Sequence, residues 1–334
     1  MTGFFASPET CTQFEMFKWF NVYVGLRWIA AADRPFVIDS PKLPYPRSYT
    51  MQGSIKSKHL AFLLIPLVAA CTTPDRTRES AITPQAQPQQ AWQFDNCAVG
   101  CPSGGSPLTL NRQAYTLNNN GSTKFANWVS YKITKTTPAS GRARDWQTDP
   151  DIPAGETLDP VDYNGANVAL KVDRGHQANL ASMAGVADWQ SLNYLSNITP
   201  QKSDLNQGPW AHLEDQERNL SKQAGVDAVY VATGPLYEHF VGTLPGTNKV
   251  HTIPSGYWKI IFVGSSPEGG MYASFVMNQE TPKSANFCDY QVPVNQIEER
   301  SGLTFWSGLP QAVQAALKAR QGQLPGRIGC KQAL

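Results

Sequence analysis

Asp173-Arg174-Gly175-His176, followed about thirty positions later by Asn206 in the run Ser203-Asp204-Leu205-Asn206-Gln207-Gly208, sets a base, a cation and a neutral metal ligand within one stretch of chain. Histidine is the side chain whose ordinary pKa best suits taking a proton from water near neutral pH, and an adjacent arginine can grip a phosphate under attack. An asparagine carbonyl is a hard oxygen donor of the kind magnesium accepts. Because Mg2+ keeps several of its waters and takes few protein ligands, one asparagine without a ring of aspartates is chemically sufficient. The pattern points to one-metal chemistry on a phosphodiester.

The match around these residues is long. It runs from Asp95-Asn96-Cys97-Ala98-Val99-Gly100-Cys101 through Asn193-Tyr194-Leu195-Ser196-Asn197-Ile198-Thr199-Pro200-Gln201-Lys202 into the Asn206 run and on to Cys330. On these motifs the chain resembles the DNA/RNA non-specific endonucleases of the ββα-metal superfamily over essentially everything after residue 95. The resemblance implies His176 as general base and Asn206 as the magnesium ligand, with manganese as a substitute ion. It also implies Arg174 and Arg144 as phosphate or transition-state binders, and Glu214 as the holder of a water belonging to the metal. Asn197 is expected to line the site and Arg218 to add a further cation near it. The implied activity is endonucleolytic cleavage of DNA and RNA to products with 5′-phosphate ends, and the implied assembly is a homodimer.

The surrounding sequence reads as an α+β domain, an antiparallel central sheet flanked by helices and carrying a ββα-metal active-site motif. Residues 127–134 alternate, with Val129, Tyr131 and Ile133 on one face. Residues 228–232 read as a buried strand ended by Gly234-Pro235, and residues 257–263 and 272–277 as further strands. Helical patterns cover residues 210–224, 294–300 and 311–319. In this frame a strand over residues 168–172 delivers His176 just past its end. The Asn206 segment opens the long helix that carries Glu214 and Arg218. Eight residues on an α-helix amount to about 80° of rotation and about 12 Å of rise, which favours Asn206 as direct ligand and Glu214 acting through water. Pro209 lacks a backbone donor, so a kink or a delayed helix start is expected near Asn206. Asp173 is expected to position the strand end rather than to ligate the ion, and His212, His239 and His251 are read as ordinary surface or core histidines.

One catalytic domain, residues 93–334, is the expected count. Residues 56–71 have a basic start, a short apolar core and small residues before Cys71, the pattern of a bacterial lipoprotein signal. That run is too short for a spanning helix, which needs roughly twenty apolar residues. Cys71 is therefore the expected lipidated first residue of a membrane-anchored or released envelope protein, and residues 72–92, polar and proline-bearing, its flexible tether. Met51 stands where such a signal peptide should begin. Residues 1–50 are then upstream sequence from a mis-assigned start, and 51–71 the signal peptide.

Apart from Cys11 and Cys71, four cysteines fall in the catalytic domain, an even number that suits disulfides in an exported protein. Three pairings are open on sequence alone; the family resemblance implies Cys97 with Cys101 and Cys288 with Cys330. A zinc site is disfavoured, since no Cys or His pair sits near Cys288 at ligand spacing. Charge gives no hint of a polyanionic partner. Of the 28 Lys and Arg and 26 Asp and Glu, seven and four fall in residues 1–71, leaving the exported part at about −1. Attraction to nucleic acid must be local, with Arg142, Arg144, Lys171, Arg174 and Lys202 the candidates. A catalytically inert, surface-tethered nucleic-acid-binding lipoprotein on the same fold is the competing reading, and the intact set of His176, Asn206, Arg144, Arg174 and Glu214 argues against it.

Replacing Cys71 with Ser is expected to move the protein from the membrane fraction to the soluble fraction. Mass spectrometry of the mature chain checks this: an N terminus upstream of Met51 with unmodified Cys71 would overturn both the start site and the anchor.

Overall fold

Val129, Tyr131 and Ile133 are all fully buried, and the strand that carries them pairs on both edges. The structure, a computed structural model of the chain, describes residues 93–97 and 100–331. The readings of residues 1–92, including the signal peptide, Cys71 and the tether, lie outside the described residues.

The main sheet is antiparallel throughout and has six strands. They are β1 (Thr109–Asn111), β2 (Thr116–Asn120), β3 (Phe125–Ile133), β6 (Val229–Leu236), β7 (Gly256–Val263) and β8 (Met271–Asn278), hydrogen-bonded in that order. Between β3 and β6 the chain forms a separate two-stranded pair, β4 (Val172–His176) with β5 (Ile198–Lys202). Helices α1 (Ala166–Leu170) and α2 (Leu180–Met183) flank β4 in the chain. The one-turn α3 (Ser203–Leu205), a π-helical turn (Asn206–Trp210) and α4 (Ala211–Leu220) follow β5 directly. Helices α5 (Val294–Ser301) and α6 (Gln311–Lys318) come after the sheet.

Every residue of β7 is buried, because both faces of the sheet are covered. Tyr257, Ile261 and Val263 pack with Val129, Tyr131 and Ile133 against Trp210, Leu213 and Leu220. The alternate residues Trp258, Ile260 and Phe262 pack with Val294, Ile297 and Leu317 on the opposite face. Period-two alternation thus feeds two cores from one strand. A third cluster, including Leu158, Tyr163, Ala166, Val172, Leu195, Ile198 and Leu244, lies under the β4–β5 pair.

Two expected boundaries differ. Gly234-Pro235 does not end β6, which continues to Leu236 with Pro235 opposite Tyr257. The β3 ladder stops at Thr233, so Pro235 sits where β6 has one strand neighbour and its missing N–H breaks no bond to β3. Residues 168–171 are not a strand. Gly165 at φ 76° and Lys171 at φ 57° bracket the helical turn α1, leaving Val168 79% exposed. The strand begins at Val172, and His176 is its last residue.

The disulfides are Cys97–Cys101 and Cys288–Cys330, as the family resemblance implied. No helix among the described residues is long and apolar enough to cross a membrane. Chain-entropy cost scales with the closed loop, so for a separation of 42 residues replacing Cys288 and Cys330 with Ala should cost about 4 kcal/mol. For a separation of 4 residues the Cys97/Cys101 double replacement should cost about 2 kcal/mol. Calorimetric unfolding of the two double variants checks the ranking.

Candidate active site

The β4–β5 pair and the helical run after it form a β-β-α unit whose parts are joined by one carboxylate. Asp173 Oδ2 accepts from Asn206 Nδ2 at 2.9 Å and from Gln207 Nε2 at 2.8 Å, while Oδ1 accepts from Ser203 Oγ at 2.8 Å and Asn167 Nδ2 at 3.2 Å. With its amide nitrogen committed to Asp173, Asn206 keeps its carbonyl oxygen as the group to offer a ligand. The expectation that Asp173 fixes the strand end therefore extends to fixing Asn206 itself.

Between Asn206 and α4 the chain takes one π-helical turn. Gly208 departs from helical geometry at φ −111°, ψ −116°, one residue before Pro209. The regular helix is thereby delayed to Ala211, so an uninterrupted α-helix from Asn206 to Glu214 does not exist and the 80° estimate does not apply. Both side chains nevertheless line one cavity of about 640 Å³. Arg144, Arg174, Arg218, His176 and Asn179 line it as well.

His176 is half-buried beside Trp146, with ring centroids 5.3 Å apart. Its Nε2 lies 3.3 Å from Asn193 Oδ1, and Asn193 Nδ2 donates to Ala143 O at 3.0 Å. That second bond orients the amide, so Nε2 carries the imidazole proton and Nδ1 is the basic nitrogen. Burial pushes the His176 pKa down to about 4; the Asn193 bond opposes this and the Arg144 cation adds to it. The imidazole is neutral at pH 7.

Arg174 is held over Trp146 and Tyr163, 5.6 and 5.2 Å from their ring centroids, and Nη2 donates to Pro160 O at 2.9 Å. Its Nε is buried without a hydrogen-bond partner among the described residues, an unspent donor beside the cavity. Arg144 is exposed at the rim. Arg218 Nη1 donates to Asn179 Oδ1 at 2.8 Å and to Ser182 Oγ at 3.1 Å, and Asn179 Nδ2 donates to Glu214 Oε2. Burial pushes Glu214 up to about 7, against the pull of Lys259.

Asn197 corrects the sequence reading. It is fully buried and absent from the cavity wall, its amide spent on Ala178 N and O and Leu192 O at 2.8, 3.1 and 2.9 Å. It braces the chain two residues past His176. Of the expected local cations, Lys171 and Lys202 line a neighbouring hollow of about 430 Å³, and Arg142 stacks 4.7 Å from the Trp189 centroid. His212 and His239 are exposed, and His251 Nε2 accepts from Leu244 N at 2.9 Å inside a loop. Asn193 opens the family-matching run without any sign of its partner, and Asn179 and Trp146 stand in no motif, since the contacts all three make cross the fold.

Each of these groups answers one demand of cutting a phosphodiester: a neutral base, oriented cations for the phosphate, and an oxygen donor fixed from behind. The class that fold and site define is a nuclease. The chain belongs to the DNA/RNA non-specific endonuclease family, whose sequence profile matches residues 93–312, and is accordingly a phosphodiester hydrolase acting on DNA and RNA. It is 62% identical to the nuclease of Serratia marcescens over 248 residues, 74% of this chain and 93% of that protein. Mitochondrial endonuclease G of Bos taurus is 28% identical over 232 residues, 62% of this chain and 75% of that one. Among solved structures, the EndoG/EndoGI complex shares the fold at a TM-score of 0.55 and 24% identity, over 65% of this chain and 91% of that one.

A Cβ at Gly208 would stand 2.5 Å from Lys283 O and 2.8 Å from Lys283 Cα, both backbone atoms. Gly208→Ala should therefore lower the melting temperature and, by shifting the turn that carries Asn206, lower turnover on duplex DNA as well. Native values of both would show that the turn is not what places Asn206.

Proposed function

We propose that the chain is an exported, magnesium-dependent endonuclease that hydrolyses DNA and RNA with little sequence preference, using His176 as general base and leaving 5′-phosphate ends. One observation supports the reading: His176, and Asn206 with its amide nitrogen held by Asp173, line one cavity with three arginines. Metal binding fits this donor set. Among the described residues no group of three His, Cys, Asp or Glu side chains could cage an ion. A single fixed amide oxygen surrounded by water suits Mg2+, and Mn2+ as its substitute, better than zinc. Asn206 would hold the ion directly and Glu214 would act at one remove, through water. When bound, magnesium supplies positive charge beside the phosphate and the leaving oxygen.

His176 Nδ1 takes a proton from the attacking water as its oxygen bonds to phosphorus, and the bond from phosphorus to the 3′-oxygen breaks, the leaving oxygen taking a proton from solvent water. Arg174 and Arg144 donate to the phosphate oxygens as their charge grows. Contacts of this kind address the backbone, which carries no sequence information directly, and none requires a 2′-hydroxyl. Arg218 steadies Glu214 through Asn179. Export, lipidation of Cys71 and a homodimeric assembly belong to the same proposal, the first two on the signal pattern and the last on the family resemblance. The two disulfides support maturation in an oxidising compartment.

His176→Ala should lower kcat by about 10²- to 10⁴-fold with the fold intact. Asn206→Ala should cut turnover deeply, with only partial recovery in excess magnesium, whereas Glu214→Gln should retain weak activity. Because His176 is already neutral above about pH 5 and Glu214 is held near 7, the acidic limb of kcat/KM should belong to Glu214 and flatten in Glu214→Gln. Plasmid and RNA digests across pH, with and without magnesium, test all four; near-native turnover of His176→Ala would falsify the base assignment. Direct coordination of the ion by Glu214 or Asp173 in a metal-bound crystal would overturn the ligand arrangement.

A further inference from the structure

Lys259 occupies the middle of β7 on the face that α4 covers, and it is wholly buried. Lysine is almost never fully buried unless paired. Its Nζ lies 2.8 Å from Glu217 Oε1 and 3.7 Å from Glu214 Oε1, two carboxylates on α4. Glu217 is itself fully buried and accepts from Tyr131 OH at 2.9 Å. Trp210, from the π-helical turn, covers the ammonium with its ring centroid 4.4 Å away. Four elements thus converge on one interior charge: β3, β7, the turn after Asn206, and α4.

Glu214 alone among these acids reaches the cavity. Its Oε2 takes the Asn179 amide and its Oε1 faces Lys259, so the carboxylate is gripped from the site on one side and from the core on the other. We propose that Lys259 is a positioning residue for the nuclease reaction: anchored by Glu217 and Trp210, its ammonium fixes the Glu214 carboxylate at the cavity wall and keeps it ionised. The proposal rests on the reading of Glu214 given above, in which the ionised form accepts a hydrogen bond from water. Burial raises Glu214 to about 7, with Lys259 the largest opposing influence; Glu217 and Asp215 raise it further and Arg218 lowers it. Tyr131 faces Glu217 rather than Glu214, and Asn179 brings no charge.

The opposing signs of Lys259 and Glu217 provide the test. In Lys259→Met, the Glu214 carboxyl should titrate about one to three pH units higher. In Glu217→Gln, where the amide oxygen can still accept from Tyr131 and Lys259 stays charged, it should titrate lower. Isotope-edited infrared spectra of metal-free protein carrying ¹³C-carboxyl glutamate read this directly, with Glu214→Gln assigning the band. The acidic limb of kcat/KM on duplex DNA should follow: Lys259→Met loses activity about tenfold or more at pH 7 and regains it toward pH 9. Glu217→Gln extends activity to lower pH. In a Glu214→Gln background neither change should move the pH profile. Titrations that stay put, or that move in the same direction in both variants, overturn the proposal, and should Lys259→Met fail to fold, an unmoved or raised titration in Glu217→Gln overturns it alone. If the titrations shift in opposite directions while the limb stays where it is, the hold of Lys259 on Glu214 stands and the part given to Glu214 in hydrolysis falls.

Discussion

Asp173 carries the geometry of the site. Its two oxygens collect donors from α1, from the first residue of α3 and from the π-helical turn, so strand β4 and the helical run after β5 cannot move independently. His176 stands three residues further along the same strand, and strand geometry fixes that offset to about 10 Å. The spacing of His176 and Asn206 is thus a property of one short strand and one carboxylate. Hydrogen bonds to a charged acceptor are roughly twice as strong as neutral ones, which suits a group asked to orient four partners.

Around that clamp the site is built in two tiers. Asn193 chooses the protonated nitrogen of His176, Asn179 joins Glu214 to Arg218, and Asn197 secures the backbone beyond His176. None of these amides carries charge, so each can be buried cheaply once its donors and acceptors are paired. The cations, by contrast, stay at the cavity surface, Arg144 most exposed of all.

Much of this was legible in the sequence. Residues 257–263 and 272–277 read correctly as strands because they are short, mostly apolar runs rich in aromatic and β-branched residues, interrupted only by Lys259 and Ser274, and residues 294–300 and 311–319 as helices because their apolar residues recur at helical spacing. The grouping of His176 with Asn206, Arg144, Arg174, Glu214 and Arg218 was legible from chemistry and family likeness together, and the structure brings all six to one cavity. Residues 168–172 misled because Val168 and Leu170 look like strand while left-handed residues on either side close a helical turn. Asn197 misled because a conspicuous motif need not face the cavity. Lys259 was invisible: a lysine within a strand reads as an outward-facing polar position, and only the covering of both sheet faces buries it. Contacts across the fold, such as Asn193 with His176 and Asn179 with Glu214, leave no local pattern to find.

The sparse charge of this protein shapes how it meets its polymer. Arg144 and Arg174 at the cavity, with Arg218 paired to Asp215, and a nearly neutral remainder mean that few condensed counterions leave the nucleic acid on binding. Each phosphate neutralised on a duplex contributes about −0.9 to the slope of log affinity against log salt, so two contacts give a slope of only about −2. A broad basic groove would hold the strand through every cut and stall as ionic strength varied. A small grip lets go of both fragments after each event and tolerates changes in the salt of the surrounding medium.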